Sequence, residues 1–370
     1  MTERRQADLR AATLRTWGRA APIVTLFLMP AIIAELLYGS TPITNPTPLL
    51  PEILVYGSAA LLIREMVRRR GGGWLAIVLL GIAFGVAEEC VILQTSLLPG
   101  LFGMDPQHVY GRALGVNWVY LVFLVGYETM WAIVLPIQLV EVIFPDRRDG
   151  AWLARRGLAA ATILFVIGSA AAWYLWTHVA LQRFPAAQGY QAPVLTVALA
   201  LATIAVLMAL ALGRRRSAHA SQVAERRAPR PWLVGVTAFL LGLAWLALTV
   251  TAFGVAPSMN PVIPILLGLA LAGGTVLLLR HWARGFDWRD GHRLALVFGA
   301  MVASMLMGFP VVGVLGGPLA AVGKLLLNLV AVALLAVLAF ETRRRWRAAA
   351  GAIVRPSAQS LPQTAGDLRE

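Results

Sequence analysis

The sequence predicts an all-α fold, a polytopic transmembrane helical bundle of about ten spans with both termini in the cytoplasm. Hydrophobic residues make up 59% of the 370 positions, charged residues only 14%, and the mean hydropathy is +0.73. Soluble globular domains carry about 25% charged residues, so lipid has to surround much of this chain. In addition, apolar windows of spanning length recur along the sequence, and basic residues cluster between alternate pairs of windows.

Ten windows are long and apolar enough to cross a bilayer. A helix that crosses about 30 Å of hydrocarbon needs roughly 20 mostly apolar residues. Windows of that size give the predicted spans Ala21–Tyr38, Leu49–Met66, Trp74–Leu98, Asn117–Phe144, Leu158–Ala180, Pro193–Leu212, Trp232–Val255, Pro261–Leu279, Leu294–Val314 and Pro318–Phe340. Arginines precede the first window, but no small-x-small cleavage site follows it, so we interpret it as a span.

The basic residues test this count. All but three of the 32 Lys and Arg residues lie in six segments on the predicted inner side: 1–19, the helix end and turn around Met66, 145–157, 213–231, 280–293 and 341–370. The exceptions are Arg112, Arg183 and Lys324. An excess of Lys and Arg in cytoplasmic segments is the positive-inside rule, and one missed span would destroy the alternation. The net charge of +14 therefore indicates orientation and contact with anionic lipid headgroups rather than nucleic-acid binding.

Five parts follow from this organisation. They are a basic cytoplasmic lead-in (1–19), helices 1–5 plus 6 with a polar intramembrane site (20–212), a basic cytoplasmic linker (213–231), helices 7–10 (232–340) and a basic, disordered cytoplasmic tail (341–370). The single cysteine, Cys90, excludes an intrachain disulfide and is expected to be a packing residue. The chain is thus expected to be a multi-pass protein of a bacterial cell (cytoplasmic) membrane.

Ionisable residues within spans are the candidates for function. Each costs about 2.5–3.5 kcal/mol at a helix centre on insertion scales, so it needs an explanation. Glu88 and Glu89 are adjacent in the third span, and Glu89 shares a face with Gly81 and Gly85 at a spacing of four. Small residues mark close helix contacts, so Glu89 is expected to point into the bundle. Glu128 lies near the middle of the fourth span.

Further polar residues fall in the same outer half of the predicted bilayer. They are Glu35, Glu52, His178, Lys324 and, four residues after the lysine, Asn328. Neighbouring carboxylates cannot all ionise cheaply there, so we expect at least one to be protonated, or a cation or Lys324 to neutralise the group. The competing structural interpretations are hydrogen-bonded helix contacts for the glutamates, snorkelling for Lys324 and an interfacial position for His178.

One local resemblance joins these residues. The Glu88-Glu89 pair, then Phe123 four before Tyr127 with Glu128 next, then His178 four before Gln182, resembles the motif order of the CAAX-protease and bacteriocin-processing (CPBP) intramembrane metalloproteases. The resemblance implies Glu88, Glu89 and Glu128 as catalytic residues and Glu89, Glu128 and His178 as ligands of a divalent metal. The whole chain also resembles uncharacterised multi-span proteins of actinobacterial type, which implies no activity.

Three functions remain open at this point. The first is a CPBP-like intramembrane peptidase or processing protein, in which a glutamate polarises a metal-bound water. The second is an ion- or proton-coupled permease, because buried carboxylates opposite a lysine are how proton relays are built. The third is a non-catalytic membrane subunit whose acids hold helices in register.

Overall fold

The computed structural model describes residues 18–99, 111–183, 189–213, 227–252 and 259–353. Ten long helices lie within these ranges: α1 Gly18–Leu37, α2 (49–69), α3 Trp74–Ile92, α4 Trp118–Ile143, α5 Arg155–Ala180, α6 Val194–Gly213, α7 Pro231–Val250, α8 Val262–Trp282, α9 Asp290–Met307 and α10 Phe309–Ile353. Each overlaps one of the ten apolar windows. The described part of the chain is otherwise turns, short 3₁₀ segments and one two-stranded hairpin.

Eight of the ten helices are long and apolar enough to cross a membrane. The two outside this set are α2 and α9. Helix α2 contains Glu52, Arg64 and Glu65, and the first turn of α9 is polar, with Asp290 and Arg293. Several of the eight expose rows of Leu, Val and Ile over most of their length. Such surface is stable only against lipid or another apolar partner, so the chain is an all-helical integral membrane protein.

Helices α3 and α4 form the centre of the bundle. Buried residues make up 67% and 56% of their spanning windows, against 11% for each of α5, α6 and α8. The two central helices approach closely, because a Cβ atom on Gly85 would lie 3.0 Å from the Cα atom of Val125. Gly81 meets the side chain of Thr129 at the same distance. These small residues therefore mark a close helix contact, as their spacing of four predicts.

The second half of the bundle is closed by α9, which packs along α7 and also contacts α4 and α10. A Cβ atom on Gly299 would lie 2.0 Å from the carbonyl oxygen of Gly235, so α7 and α9 touch backbone to backbone. The indole Nε1 of Trp131 on α4 donates to the carbonyl oxygen of Ala300 on α9 at 3.1 Å. This contact joins α9, which packs against α7, to the central helix α4.

The last helix differs from the sequence-based expectation at both ends. It begins at Phe309, is interrupted at Gly317 (φ +70°) before Pro318, and continues to Ile353. The sequence predicts a span that ends at Phe340 and a disordered tail over 341–370. The helix extends past Phe340 because the following run is rich in Arg and Ala, which are strong helix formers. Residues 354–370, like 1–17 and 214–226, lie outside the described residues.

Candidate functional site: a chain of buried carboxyl groups

Each of the first four helices contains a π-helical stretch, and each stretch carries a polar side chain that faces the others. The stretches are Ile32–Leu37 with Glu35, Ile53–Gly57 with Tyr56, Glu88–Ile92 and Glu128–Val134. In a π-helical turn the backbone hydrogen bonds join residues five apart instead of four, and such turns are common at functional sites. A fifth stretch, Leu175–Ala180 in α5, contains His178.

The outer part of the site joins α1 to α2 through a loop hydroxyl. Thr41 Oγ1 lies 2.9 Å from Oε2 of Glu35 and 3.2 Å from Oε2 of Glu52. Ser40 Oγ also donates to Glu35 Oε2, at 2.6 Å. The loop reaches these carboxyl groups because Gly39, with φ +97°, reverses the chain directly after α1. Glu52 is half-buried, whereas Glu35 is buried.

The inner part of the site runs from α1 to α4. The hydroxyl of Tyr56 lies 2.5 Å from Oε1 of Glu88 and 3.4 Å from Oε1 of Glu35. The carboxyl groups of Glu88 and Glu128 are themselves in hydrogen-bonding contact. A hydrogen bond between two carboxyl groups requires a proton on one of them. These contacts therefore form a continuous chain of groups with exchangeable protons, which we call the carboxyl relay. Its members are Glu52, Thr41, Glu35, Tyr56, Glu88 and Glu128.

A cavity of about 130 Å³ lies at the Glu128 end of the relay. Its ten lining residues come from α1, the loop after it, α4 and α7: Glu35, Tyr38, Ser40, Phe123, Leu124, Tyr127, Glu128, Trp245, Leu246 and Thr249. Nε1 of Trp245, whose side chain forms part of this lining, is buried without a hydrogen-bond partner. With Glu35 and Glu128 among its lining residues, the cavity adjoins the relay from both α1 and α4.

Glu89 is buried beside Glu88 but belongs to a different set of contacts. Thr95 Oγ1 and Ser96 Oγ donate to its Oε2 at 2.5 and 2.8 Å. The chain turns back at Gln94, which has a left-handed conformation (φ +59°), and this turn brings the two hydroxyls to Glu89. The sequence predicts that Glu89 faces the bundle; the structure buries both glutamates and gives Glu88 the contacts with other helices.

His178 is not brought together with Glu89 and Glu128. It is exposed on α5, stacks on Tyr174 with ring centroids 4.9 Å apart, and shares a contact of 2.8 Å between its Nδ1 and Thr177 Oγ1. Within the described ranges no three or more His, Cys, Asp and Glu residues are grouped so that they could hold a metal ion. The ligand set that the resemblance implies is therefore not assembled here, because a stacked surface ring on an outer helix does not reach the central pair.

Lys324 and Asn328 form a separate polar contact between α1, α9 and α10. Lys324 Nζ donates to the carbonyl oxygens of Leu37 (2.8 Å) and Met305 (2.6 Å) and lies 4.3 Å from the ring centroid of Phe309. With its amide oriented to match, Asn328 accepts from Lys324 and donates to the Leu37 carbonyl. The lysine thus donates to carbonyl oxygens at the C-terminal ends of two helices, where the helix dipole favours a cation. It does not pair with a carboxyl group.

A buried ionic network at the opposite end of α2 was not predicted from the sequence. Arg64 and Glu65 are fully buried there, 3.0 Å apart, and Glu141 on α4 receives two hydrogen bonds from Arg68 at 2.6 and 2.8 Å. Glu65 also accepts from the backbone nitrogen of Trp152, at 2.7 Å. The sequence shows a basic helix end and suggests only a surface anchor. The sequence did contain one signal for the network, namely the opposite charges of the arginines on α2 and of Glu141 on α4.

No family model, no curated protein and no solved structure matches the chain. The resemblance to the CPBP metalloproteases thus finds no support in these comparisons. The residues agree, because Leu93 stands where that motif has an arginine and Tyr127 where it has a histidine. Tyr127 instead donates its hydroxyl to the carbonyl oxygen of Ala34 at 2.6 Å. Function therefore has to be inferred from the geometry of the carboxyl relay.

Proposed function

We propose that the protein is a ten-span, proton- or ion-coupled permease of the cell membrane, in which the carboxyl relay exchanges protons between the outer boundary and the cavity beside Glu128. The observation that carries the proposal is the unbroken series of contacts from half-buried Glu52 through Glu35 and Tyr56 to buried Glu88 and Glu128. Buried carboxyl groups in spanning helices are the usual components of proton relays.

The individual contacts suit proton exchange rather than static packing. Each bridging hydroxyl, Thr41 and Tyr56, lies within 3.4 Å of two carboxyl groups but has only one proton to donate. It can therefore receive a proton from one carboxyl group while it donates its own to the other. A purely structural role would be served better by one donor for each carboxyl group, yet Glu88 and Glu128 share a contact that needs a proton on one of them.

Topology and partners follow from the charge pattern. With ten spans and the positive-inside rule, both termini and the ionic network around Arg64 lie in the cytoplasm. The basic inner segments contact anionic lipid headgroups. The relay then opens toward the outer side through Glu52. A peptidase function of the CPBP type has less support, because it needs ligands for a metal ion. In the described ranges no three His, Cys, Asp or Glu residues are grouped so that they could hold one.

The test compares two adjacent glutamates. Wild-type protein, Glu88→Gln and Glu89→Gln are reconstituted in vesicles, and proton uptake driven by a potassium diffusion potential is followed with an enclosed pH-sensitive dye. Glu89→Gln is the matched control because it changes a buried glutamate of the same helix outside the relay. We expect Glu88→Gln to slow the uptake at least tenfold and Glu89→Gln to leave it within about twofold of wild type.

Two outcomes would contradict the proposal. Uptake by the wild-type protein no faster than in empty vesicles would leave the relay without a transport function and favour the non-catalytic membrane subunit. Equal uptake by wild type and Glu88→Gln would show that protons pass elsewhere. Thermal unfolding of all three proteins in detergent shows whether a slow variant is still folded.

A further inference from the structure

A groove lies between the C-terminal end of α4 and the late part of α10, at the basic end of the bundle. Its volume is about 430 Å³, within the range of about 300–1,000 Å³ that is usual for small-molecule sites. None of the residues that line it is buried, so a ligand can reach them from outside the protein. We call it the basic groove, and its lining residues are Ile143, Phe144, Pro145, Asp146, Arg147 and Arg345.

The basic groove lies at the depth of lipid headgroups. Its apolar lining includes Ile143 and Phe144, at the end of the spanning helix α4. Arg345 follows Phe340, where the tenth apolar window ends, by five residues, so it lies about 7.5 Å beyond that boundary along α10. The headgroup layer on each side of a bilayer is about 5–8 Å thick. The groove therefore combines apolar side chains at the hydrocarbon boundary with an arginine at headgroup depth.

The second arginine of the groove is held in place by the protein. Nη1 of Arg147 donates to two carbonyl oxygens at the start of α1, at 2.8 and 3.2 Å. Its own carbonyl oxygen accepts from Nε1 of Trp152 at 2.8 Å and from Nη2 of Arg64 at 3.2 Å, so the buried ionic network positions this turn. Nε and Nη2 of Arg147, like the guanidinium group of Arg345, have no hydrogen-bond acceptor among the described residues. Such planar donor groups match the oxygens of a phosphate.

The charge of the lining defines the headgroup that fits. Arg147 and Arg345 together with Asp146 give the groove a net charge of +1. A headgroup with a net charge of −1 neutralises it, with a phosphate that accepts from the arginines and hydroxyls that donate to Asp146. A zwitterionic headgroup has no net charge and leaves one arginine uncompensated. Basic pockets between spanning helices are known to bind anionic headgroups.

We propose that the basic groove binds one anionic glycerophospholipid, with its phosphate between Arg147 and Arg345 and its acyl chains along Ile143 and Phe144. The inference goes beyond the proposed function, since it assigns a single lipid site and requires only that these helices span a bilayer. The charge pattern of the sequence predicts contact of six basic segments with anionic lipid in general. The groove selects two arginines, from two of those segments, for one lipid.

Native mass spectrometry of the purified full-length protein in detergent counts the bound lipids. Phosphatidylglycerol is titrated as the probe, and phosphatidylethanolamine, which has the same phosphate but no net charge, is the comparison. In about 0.15 M ammonium acetate, which screens distant exposed charges, we expect one phosphatidylglycerol to bind at least tenfold more tightly than phosphatidylethanolamine. Glycerol 3-phosphate, the soluble source of the same chemistry, is expected not to displace the lipid, because it lacks acyl chains.

Variants test the two signs of charge in the groove. Arg345→Gln is expected to weaken phosphatidylglycerol binding at least tenfold, as the loss of a charged hydrogen bond predicts. Arg343→Gln is the matched control, because it removes an exposed arginine of the same helix outside the groove, and binding is expected to stay within about threefold of wild type. Asp146→Asn keeps an acceptor oxygen and removes the charge that repels the phosphate, so binding is expected to become at least twofold tighter. A damaged protein would not show such a gain.

Four outcomes would overturn the lipid site. Equal weakening by Arg345→Gln and Arg343→Gln would show a diffuse basic surface instead of a groove. Phosphatidylethanolamine that binds as tightly as phosphatidylglycerol, or weaker phosphatidylglycerol binding in Asp146→Asn, would remove the selection by net charge. Displacement by glycerol 3-phosphate would indicate a site for a soluble anion. None of these measurements depends on proton uptake, so the lipid site and the permease stand or fall separately.

Discussion

Replacement of Glu141 by Gln removes one carboxylate from the ionic network between α2 and α4. Glu141 is fully buried and receives two hydrogen bonds from Arg68, at 2.6 and 2.8 Å. Arg64 Nε lies 3.3 Å away from it without the alignment of a hydrogen bond, so that contact is a charge interaction only. The substitution keeps the size of the side chain and removes its charge.

The expected loss of stability follows from what the two arginines retain. Loss of one partner of a buried ion pair costs about 3–5 kcal/mol, mostly because a charge is left uncompensated. Fully buried Arg64 keeps Glu65 at 3.0 Å and three backbone carbonyls, and Arg68 is 11% exposed and can reach water. The lower end of the range applies, so Glu141→Gln is expected to lower the free energy of unfolding by about 3 kcal/mol, roughly a hundredfold in the equilibrium constant.

The measurement is unfolding of the purified protein by titration with a denaturing detergent, followed by tryptophan fluorescence. Glu341→Gln is the control, because its pair with Arg344 is 3.9 Å long and both side chains are exposed, by 42% and 74%. Exposed pairs contribute about 0–1 kcal/mol, so the control is expected to change little. If Glu141→Gln destabilises the protein no more than Glu341→Gln does, the network is not the buried electrostatic contact described above.

Three further changes have defined outcomes. Tyr56→Phe removes one hydroxyl without a change of charge, and proton uptake in vesicles is expected to fall at least tenfold; unchanged uptake would show that the relay does not pass through this residue. Lys324→Met leaves two buried carbonyls without their donor, at an expected cost of about 1–3 kcal/mol in detergent unfolding; no change would show that water replaces the ammonium group. Gly57→Ala places a Cβ atom 2.0 Å from the carbonyl oxygen of Phe27, so α1 and α2 must separate and the expected loss is about 1–3 kcal/mol or more. Gly274→Ala is its matched control, since no atom lies within 4 Å of that position, and it is expected to leave stability unchanged or slightly higher; equal effects at both positions would contradict the close helix contact.

The first four helices show how much of the candidate site local sequence can predict. Glu35, Glu88 and Glu128 were predicted to share one layer of the membrane from their depth along three windows, and the structure links all three. Depth is a local property, since each residue advances a helix by about 1.5 Å. The sequence could not say that Glu88 rather than Glu89 joins the relay. Hydroxyls that come from a turn at Gln94 hold Glu89 elsewhere.

The partners of Lys324 and His178 illustrate the same limit. A buried lysine in an acidic layer suggests a carboxylate partner, but the acceptors are backbone carbonyls at two helix ends, which no side-chain pattern reveals. His178 lies at a suitable depth on an outer helix that turns it away from the centre. Tyr56 was missed because an aromatic residue in an apolar window carries no sign of a polar role.

The sequence by itself determined that this chain is helical and belongs in a membrane, because backbone amides in lipid must be satisfied within each apolar segment. It also determined the order of the helices and the depth at which the acids lie. Only the tertiary structure decided which acids touch, where a cavity remains and which polar atoms stay unpaired. Those properties depend on the rotation and separation of helices, which are set by contacts between residues far apart in the chain.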